Sequence, residues 1–338
     1  MIVEMKKGAL QEQVNTVVER ARSFGFDVQL NQGTDKVVVA ILGSDTGKAP
    51  SDAFAVLPGV ESVTRVMKPY KLASREFNRR ASKVKAGDIE IGGKKIVIMA
   101  GPCAVESQKQ LMDTAKSVQK LGAKVVRGGA FKPRTSPFAF QGLEDEGIKL
   151  LAKVKSDLGM LVISEIVDVE HIELLAKHID ILQVGARNMQ NYSLLKELAK
   201  VRQPVLLKRG LSATVTEWLT AADYLMAEGN KKVILCERGI RTFEDSTRFA
   251  MDISSIPVIK RFSHLPIIVD PSHAAGHFEY VPSIAKAAIA AGADGLLIEV
   301  HPKPEEALVD GLQSLNLKNF QKLMSELKPI AEAVGREI

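Results

Sequence analysis

Cysteine is nearly absent from this chain, with only Cys103 and Cys236 among 338 residues. Two thiols exclude a disulfide framework and point to a reducing cytoplasm. Long apolar runs are missing too: none approaches the roughly 20 residues that a membrane span needs. The first seven residues lack the hydrophobic region of a signal peptide. The net charge of +6 has no counterpart in a nucleic-acid motif. Residues 1–66 sum to −1, residues 67–86 to +6 and the remainder to +1. The excess therefore sits in one short segment without interleaved aromatics, which excludes a nucleic-acid stripe. We read it as a basic linker that docks on an acidic surface.

What is present is a mix of 46% hydrophobic and 25% charged residues, which excludes a disordered chain and fits globular folding. Residues 1–66 read as strand, helix, strand, strand, short helix, strand. The first helix, 10–23, carries Leu10, Val14, Val17, Val18 and Ala21 at helical period. The strands fall at 2–5, 26–30, 37–42 and 60–66, and the short helix at 52–57. This βαββαβ order is ferredoxin-like. After the 67–86 linker, 88–91 and 94–97 look like a hairpin turning at Gly92-Gly93.

From there to the C-terminus the pattern is strand, polar end, helix, repeated. Eight nearly continuous apolar strands fall at 96–100, 124–127, 161–165, 181–184, 204–208, 232–236, 266–269 and 295–299. Such strands alternating with amphipathic segments imply a buried parallel sheet. Eight units in residues 87–338 match a (β/α)8 TIM barrel. A doubly wound sheet, the alternative, collects polar residues at one switch point, whereas here nearly every strand ends in them.

The richest end is Arg127 to Ser136, with three cations, two glycines and two hydroxyls in ten residues. Arg127, Lys132, Arg134, Arg187, Lys208 and Arg238 all follow strands. Gathered at one mouth, they require several anionic groups to offset their burial. The same ends offer Cys103, His273 and Glu299, with Asp310 in the loop after the last strand. This S/N/O/O set suits a divalent transition metal such as Mn, Fe, Co or Zn. No local spacing motif supports it: taken singly, each residue reads better as structural, Cys103 as a small buried hydrophobe and His273 as a turn cap. His301 competes as a ligand, and Cys236 reads as core.

Seven motifs in order now carry a resemblance: Ala100-Gly101-Pro102-Cys103, Arg127-Gly128-Gly129-Ala130, Lys132-Pro133-Arg134-Thr135-Ser136, Gly185-Ala186-Arg187-Asn188, Leu206-Leu207-Lys208-Arg209-Gly210, Cys236-Glu237-Arg238-Gly239 and Asp270-Pro271-Ser272-His273. The chain resembles 3-deoxy-D-arabino-heptulosonate 7-phosphate (DAHP) synthases of the type I-beta branch, in the members with an N-terminal regulatory domain. Ala274-Ala275-Gly276 stands where many relatives have Ser-Gly-Gly. The resemblance implies condensation of phosphoenolpyruvate with D-erythrose 4-phosphate and water, at the entry to aromatic amino acid biosynthesis. It implies that Cys103, His273, Glu299 and Asp310 hold the metal. It further implies that Arg127, Lys132, Arg187, Lys208 and Arg238 grip phosphoenolpyruvate, beside Glu165 and the backbone of Gly185 and Ala186. Arg134, Thr135 and Ser136 then face erythrose 4-phosphate, and Lys132 is placed to donate a proton or to stabilise the developing alkoxide. A homotetramer and feedback inhibition by tyrosine or phenylalanine follow from the same resemblance, with Gln29 and Asn31 as candidate effector contacts. Two alternatives remain open: 3-deoxy-D-manno-octulosonate 8-phosphate synthase, against which Arg134-Thr135 speaks, and a non-catalytic phosphosugar sensor.

Overall fold

The computed structural model describes residues 1–33, 36–43, 49–65, 69–134 and 136–338. It divides into two compact units, Met1–Ala81 with Arg261–His264, and Ser82–Lys260 with Leu265–Ile338.

In the first unit, strands β1 (Ile2–Met5), β2 (Asp27–Gln32), β3 (Val37–Leu42) and β4 (Val60–Thr64) form an antiparallel sheet in the order β2-β3-β1-β4. That is the ferredoxin-like order. Helix α1 (Gln11–Ser23) buries Val14, Val17 and Ala21, one face at i, i+3 and i+7. They meet Val3, Met5, Val39 and Ile41 from alternate strand positions. Leu10 is not part of that face: it precedes the helix as its N-cap and is 66% exposed. The short helix α2 spans only Asp52–Ala55. Of the linker cations, Arg79 pairs with the buried Glu4 of β1, Nη2 to Oε1 at 2.5 Å. The expected 34–35 turn, the end of the last strand at Val66, and Lys68 of the linker lie outside the described residues.

The second unit is a closed barrel of eight parallel strands. They are β7 (Val97–Gly101), β8 (Val125–Arg127), β9 (Leu161–Ile166), β10 (Ile181–Val184), β11 (Val205–Lys208), β12 (Val233–Glu237), β13 (Ile267–Val269) and β14 (Gly295–Glu299). Pairing of β14 with β7 closes the ring. Helices alternate with the strands because each buries a single stripe. In α3 (Gln108–Lys120) the stripe is Leu111, Thr114, Ala115 and Val118, behind a Ser107 cap whose Oγ accepts from Gln110 N at 3.1 Å.

Inside the barrel, Val97, Met99, Val125, Ile163, Ile181, Leu206, Ile234, Cys236, Ile268 and Leu297 pack together. Cys236 is therefore core. Val84, Ala86 and Ile91 join this cluster from a hairpin, β5 (Val84–Ala86) with β6 (Ile89–Ile91). The expected turn at Gly92-Gly93 is thereby corrected: the chain turns at Gly87-Asp88, and 94–97 leads into the barrel. Gly87 has φ +53°, and a Cβ there would lie 2.8 Å from Leu161 Cδ2, so glycine lets the hairpin close against the barrel without displacing Leu161. Charge misled the reading, because Lys83 and Lys85 place β5 inside the basic segment.

Candidate active site

The described candidate side chains of the barrel site leave from the C-terminal strand ends or the loops beyond them. β8 ends on Arg127, whose Nη1 lies 2.5 Å from Glu299 Oε1 at the end of β14; both are buried. Gln313 Nε2 donates to Glu299 Oε2 at 2.7 Å and fixes the other oxygen. Burial would raise the Glu299 carboxyl, but His273 and Arg127 outweigh it and hold it at about 2.

His273 sits in a short helix (Pro271–Ala275), whose N-terminus Asp270 caps by accepting from His273 N at 2.9 Å. Gly276, at φ +71°, ends the helix after Ala274 and Ala275, so the Ala-Ala-Gly departure only extends and closes this short helix. Asp270 Oδ2 lies 2.7 Å from His273 Nδ1, off the line of a hydrogen bond, and 2.5 Å from Lys208 Nζ. Held on that side, the ring turns Nε2 towards Glu299 Oε1 at 3.4 Å and Asp310 Oδ2 at 4.0 Å. Burial pushes the imidazole down against the pull of Asp270, which favours the neutral ring.

Cys103 Sγ lies 3.4 Å from Asp310 Oδ2. One donor atom from each of Cys103, His273, Glu299 and Asp310 lies within 4.8 Å of all the others. Metal–ligand bonds of about 2.0–2.3 Å put tetrahedral neighbours about 3.3–3.8 Å apart, so a contraction of the widest separations brings all four donors onto one ion. A neutral imidazole backed by a carboxylate is also the form a metal ligand takes. The thiol is the exception: burial and Glu299 push it up to about 12 despite Lys132 and Arg127. A bound dication reverses that balance. His301 lies outside the cluster; its Nε2 contacts Glu106 Oε2 at 3.2 Å.

Beside the cluster opens a cavity of about 480 Å³. Among the described residues, Lys132, Arg134, Arg187, Lys208, Arg238, Arg241 and Arg248 line it, against Glu165 and Asp310. Seven cations facing two carboxylates require anionic ligands. Lys132 Nζ stands 3.2 Å from Cys103 Sγ, between cluster and cavity. Burial lowers its affinity for a proton, but Cys103 and Glu165 outweigh it and the pKa is raised. Arg238 lies with Cζ 4.0 Å over the Phe249 ring. Arg127 Nε, Arg134 Nη1 and Arg238 Nη1 are buried and make no hydrogen bond, the mark of donors waiting for a ligand. Gly185 and Ala186 line the cavity with Glu165 and Ser136. A Cβ at Gly185 would fall 2.0 Å from Glu165 Oε1, so glycine admits that carboxylate. Thr135 lies outside the described residues.

Sequence reasoning missed Arg241, Arg248, Phe249 and Gln313, and did not give Asp270 a role. Asp270 stood inside a quoted motif. Arg248 and Gln313 carried no signal: they meet only in space, Nη1 to Oε1 at 2.7 Å.

A closed parallel barrel with this charged mouth belongs to the (β/α)8 enzymes that act on anionic substrates. Residues 76–334 match the DAHP synthetase I family, and residues 1–68 match the DAHP synthase ferredoxin-like domain. The chain belongs to that DAHP synthetase I family. It is 46% identical over 338 residues, the full length of both chains, to a phospho-2-dehydro-3-deoxyheptonate aldolase of Thermotoga maritima. The crystal structure of the Thermotoga maritima enzyme of that name, also called DAHP synthase, superposes with a TM-score of 0.80, at 46% identity, covering 99% of this chain and 98% of that one. A 2-dehydro-3-deoxyphosphooctonate aldolase of Geobacter sulfurreducens is 31% identical over 267 residues, 73% of this chain and 97% of its own.

Proposed function

We propose that the protein is a DAHP synthase, condensing phosphoenolpyruvate with D-erythrose 4-phosphate and water to DAHP and phosphate. The observation that carries this reading is the metal-type cluster opening directly onto a cavity walled by seven cations. Two phosphates and a carboxylate brought together repel one another, and such a wall offsets the repulsion.

In this reading Arg127, Arg187, Lys208 and Arg238, with the backbone of Gly185 and Ala186, hold phosphoenolpyruvate beside Glu165. Arg134, Thr135 and Ser136 receive the phosphate of the sugar. A divalent transition ion on Cys103, His273, Glu299 and Asp310 supplies Lewis acidity towards the aldehyde carbonyl. C3 of phosphoenolpyruvate bonds to the aldehyde carbon, water adds at C2, and phosphate leaves by C–O cleavage. Lys132 holds a proton at Nζ for the aldehyde oxygen that becomes a hydroxyl. Its raised pKa keeps that proton in place before substrates arrive.

The Geobacter sulfurreducens relative favours a second reading, an octulosonate phosphate synthase that takes arabinose 5-phosphate. The N-terminal match to the DAHP synthase ferredoxin-like domain favours the first. Consumption of phosphoenolpyruvate separates them. Turnover is expected with erythrose 4-phosphate alone, lost after chelation and restored by Mn²⁺. Turnover with arabinose 5-phosphate alone overturns the assignment, and binding without turnover points to a sensor.

The ferredoxin-like module we assign to feedback control by tyrosine or phenylalanine within a homotetramer. Asn31 offers less than its sequence suggested, because its Nδ2 already donates to Phe77 O at 3.2 Å. Deleting residues 1–66 should leave activity and abolish inhibition; an unchanged inhibition curve would place the effector elsewhere. Two buried, unpaired cysteines support a reducing, cytoplasmic setting. Among the described residues no helix is long and apolar enough to cross a membrane.

A further inference from the structure

We propose that Glu106 and His301 are positioning residues that set the spacing of three metal ligands, Cys103, Glu299 and Asp310. The proposal rests on the assignment of those residues, with His273, to one ion.

Three separate stretches of chain supply the three ligands. Cys103 follows β7, Glu299 ends β14, and Asp310 lies in the return from β14. Glu106 stands three residues after Cys103, and His301 two after Glu299. The Glu106 carboxylate ties all three stretches together. Its Oε2 meets His301 Nε2 at 3.2 Å, and its Oε1 accepts from Leu308 N, two residues before Asp310, at 2.9 Å. The tie is braced at both ends. Gln110 donates Nε2 to Ala104 O at 3.1 Å and accepts from Glu106 N at 3.3 Å, pinning the backbone beside Cys103. His301 Nδ1 accepts from Lys303 N at 3.1 Å, and His301 N donates to Leu315 O at 2.9 Å. With Nδ1 accepting, the ring carries its proton on Nε2 and donates it to Glu106.

Both side chains are largely buried, at 10% exposure for Glu106 and 6% for His301. Neither lines the cation-walled cavity. Their contacts therefore bear on ligand geometry and not on the substrates. Asp310 makes the need for such a tie plain: its backbone sits at φ +53°, a left-handed conformation that a non-glycine residue keeps only when its surroundings hold it. Arg248 Nη1 and Ser314 Oγ hold Asp310 from its far side, at 3.3 Å to Oδ2 and 3.2 Å to the carbonyl; the tie to Leu308 N is the hold that fixes the loop against the Cys103 stretch, 3.4 Å across the cluster.

The test is titration of the full chain with Co²⁺ in the absence of substrates, following the thiolate-to-cobalt absorption. Phosphoenolpyruvate binding to the metal-free protein is measured alongside. Glu106→Ala should weaken Co²⁺ binding by about 10–100-fold and leave phosphoenolpyruvate affinity within about twofold. Glu106→Gln keeps an acceptor for Leu308 N but turns its amide NH2 towards the His301 Nε2–H, and should recover only part of the loss. Should Glu106→Ala fail to fold, His301→Gln reads out the same loosening, with a smaller rise in dissociation constant. Co²⁺ affinity unchanged in a folded variant overturns the proposal, as does an equal loss of metal and phosphoenolpyruvate binding. A parent protein without a thiolate–cobalt band overturns the metal assignment itself, a separate failure.

Discussion

Lys132→Met is expected to lower turnover by about 10²–10⁴-fold, the range for loss of a positioned proton donor, while the barrel stays folded. Methionine keeps most of the apolar stem and deletes the ammonium, so packing changes little. In the proposed reaction the ammonium is the proton source. Its Nζ stands 3.2 Å from Cys103 Sγ and 3.3 Å from Cys103 O, on the side of the cavity where the aldehyde must lie. Burial works against its charge, yet Cys103 and Glu165 hold the proton on. Single-turnover rates at saturating phosphoenolpyruvate, erythrose 4-phosphate and Mn²⁺ give the comparison, with a thermal melt to verify folding. A variant that melts normally and turns over near the parental rate would remove Lys132 from the reaction.

Arg238→Met should act in two opposite directions. Catalytic efficiency towards phosphoenolpyruvate is expected to fall by a factor of about 30 to 10³, the cost of removing a buried charge-assisted contact to an anion. The ligand-free variant, by contrast, should melt at a higher temperature than the parent. Burial lowers the Arg238 pKa, with Asp270 opposing, and its Nη1 finds no acceptor. A guanidinium held in that state costs folding energy that methionine does not. Its position is nonetheless enforced. Glu237 Oε1 accepts from Arg238 N at 3.0 Å and from Gly239 N at 2.7 Å. Glu237 Oε2 is in turn held by Arg209 Nη1 at 2.8 Å and Ser255 Oγ at 3.0 Å. Phosphoenolpyruvate should raise the melting temperature of the parent and raise that of the variant much less. A variant less stable than the parent without ligand would mean that Arg238 supports the fold rather than the substrate.

Several parts of this architecture were legible before any coordinates. Runs such as 181–184 and 295–299 match strands residue for residue, because strands buried on both faces must be apolar throughout. The cation ring was legible for a related reason. Arg127 and Lys208 terminate apolar strands, and a charge in that position has nowhere to go but the mouth. The hairpin was misread because Lys83 and Lys85 made 83–86 look like linker, although Lys85 is simply the exposed residue between buried Val84 and Ala86. Arg248 was invisible because nothing in its own loop distinguishes it from a solvated arginine. Its role comes from Gln313 and from Asp310 Oδ2, 3.3 Å away.

The order of strands and helices, the polar strand ends and the residue types able to bind metal and phosphate were determined by sequence alone, since periodicity and side-chain chemistry are local properties. Only the tertiary structure decided that Cys103 and Asp310 meet, that His273 rather than His301 joins them, and that Glu106 ties their loops together. The physical reason is closure. Once β14 pairs with β7, strand ends nearly two hundred residues apart in the chain become neighbours, and spacing along the chain carries no trace of the distance across the barrel.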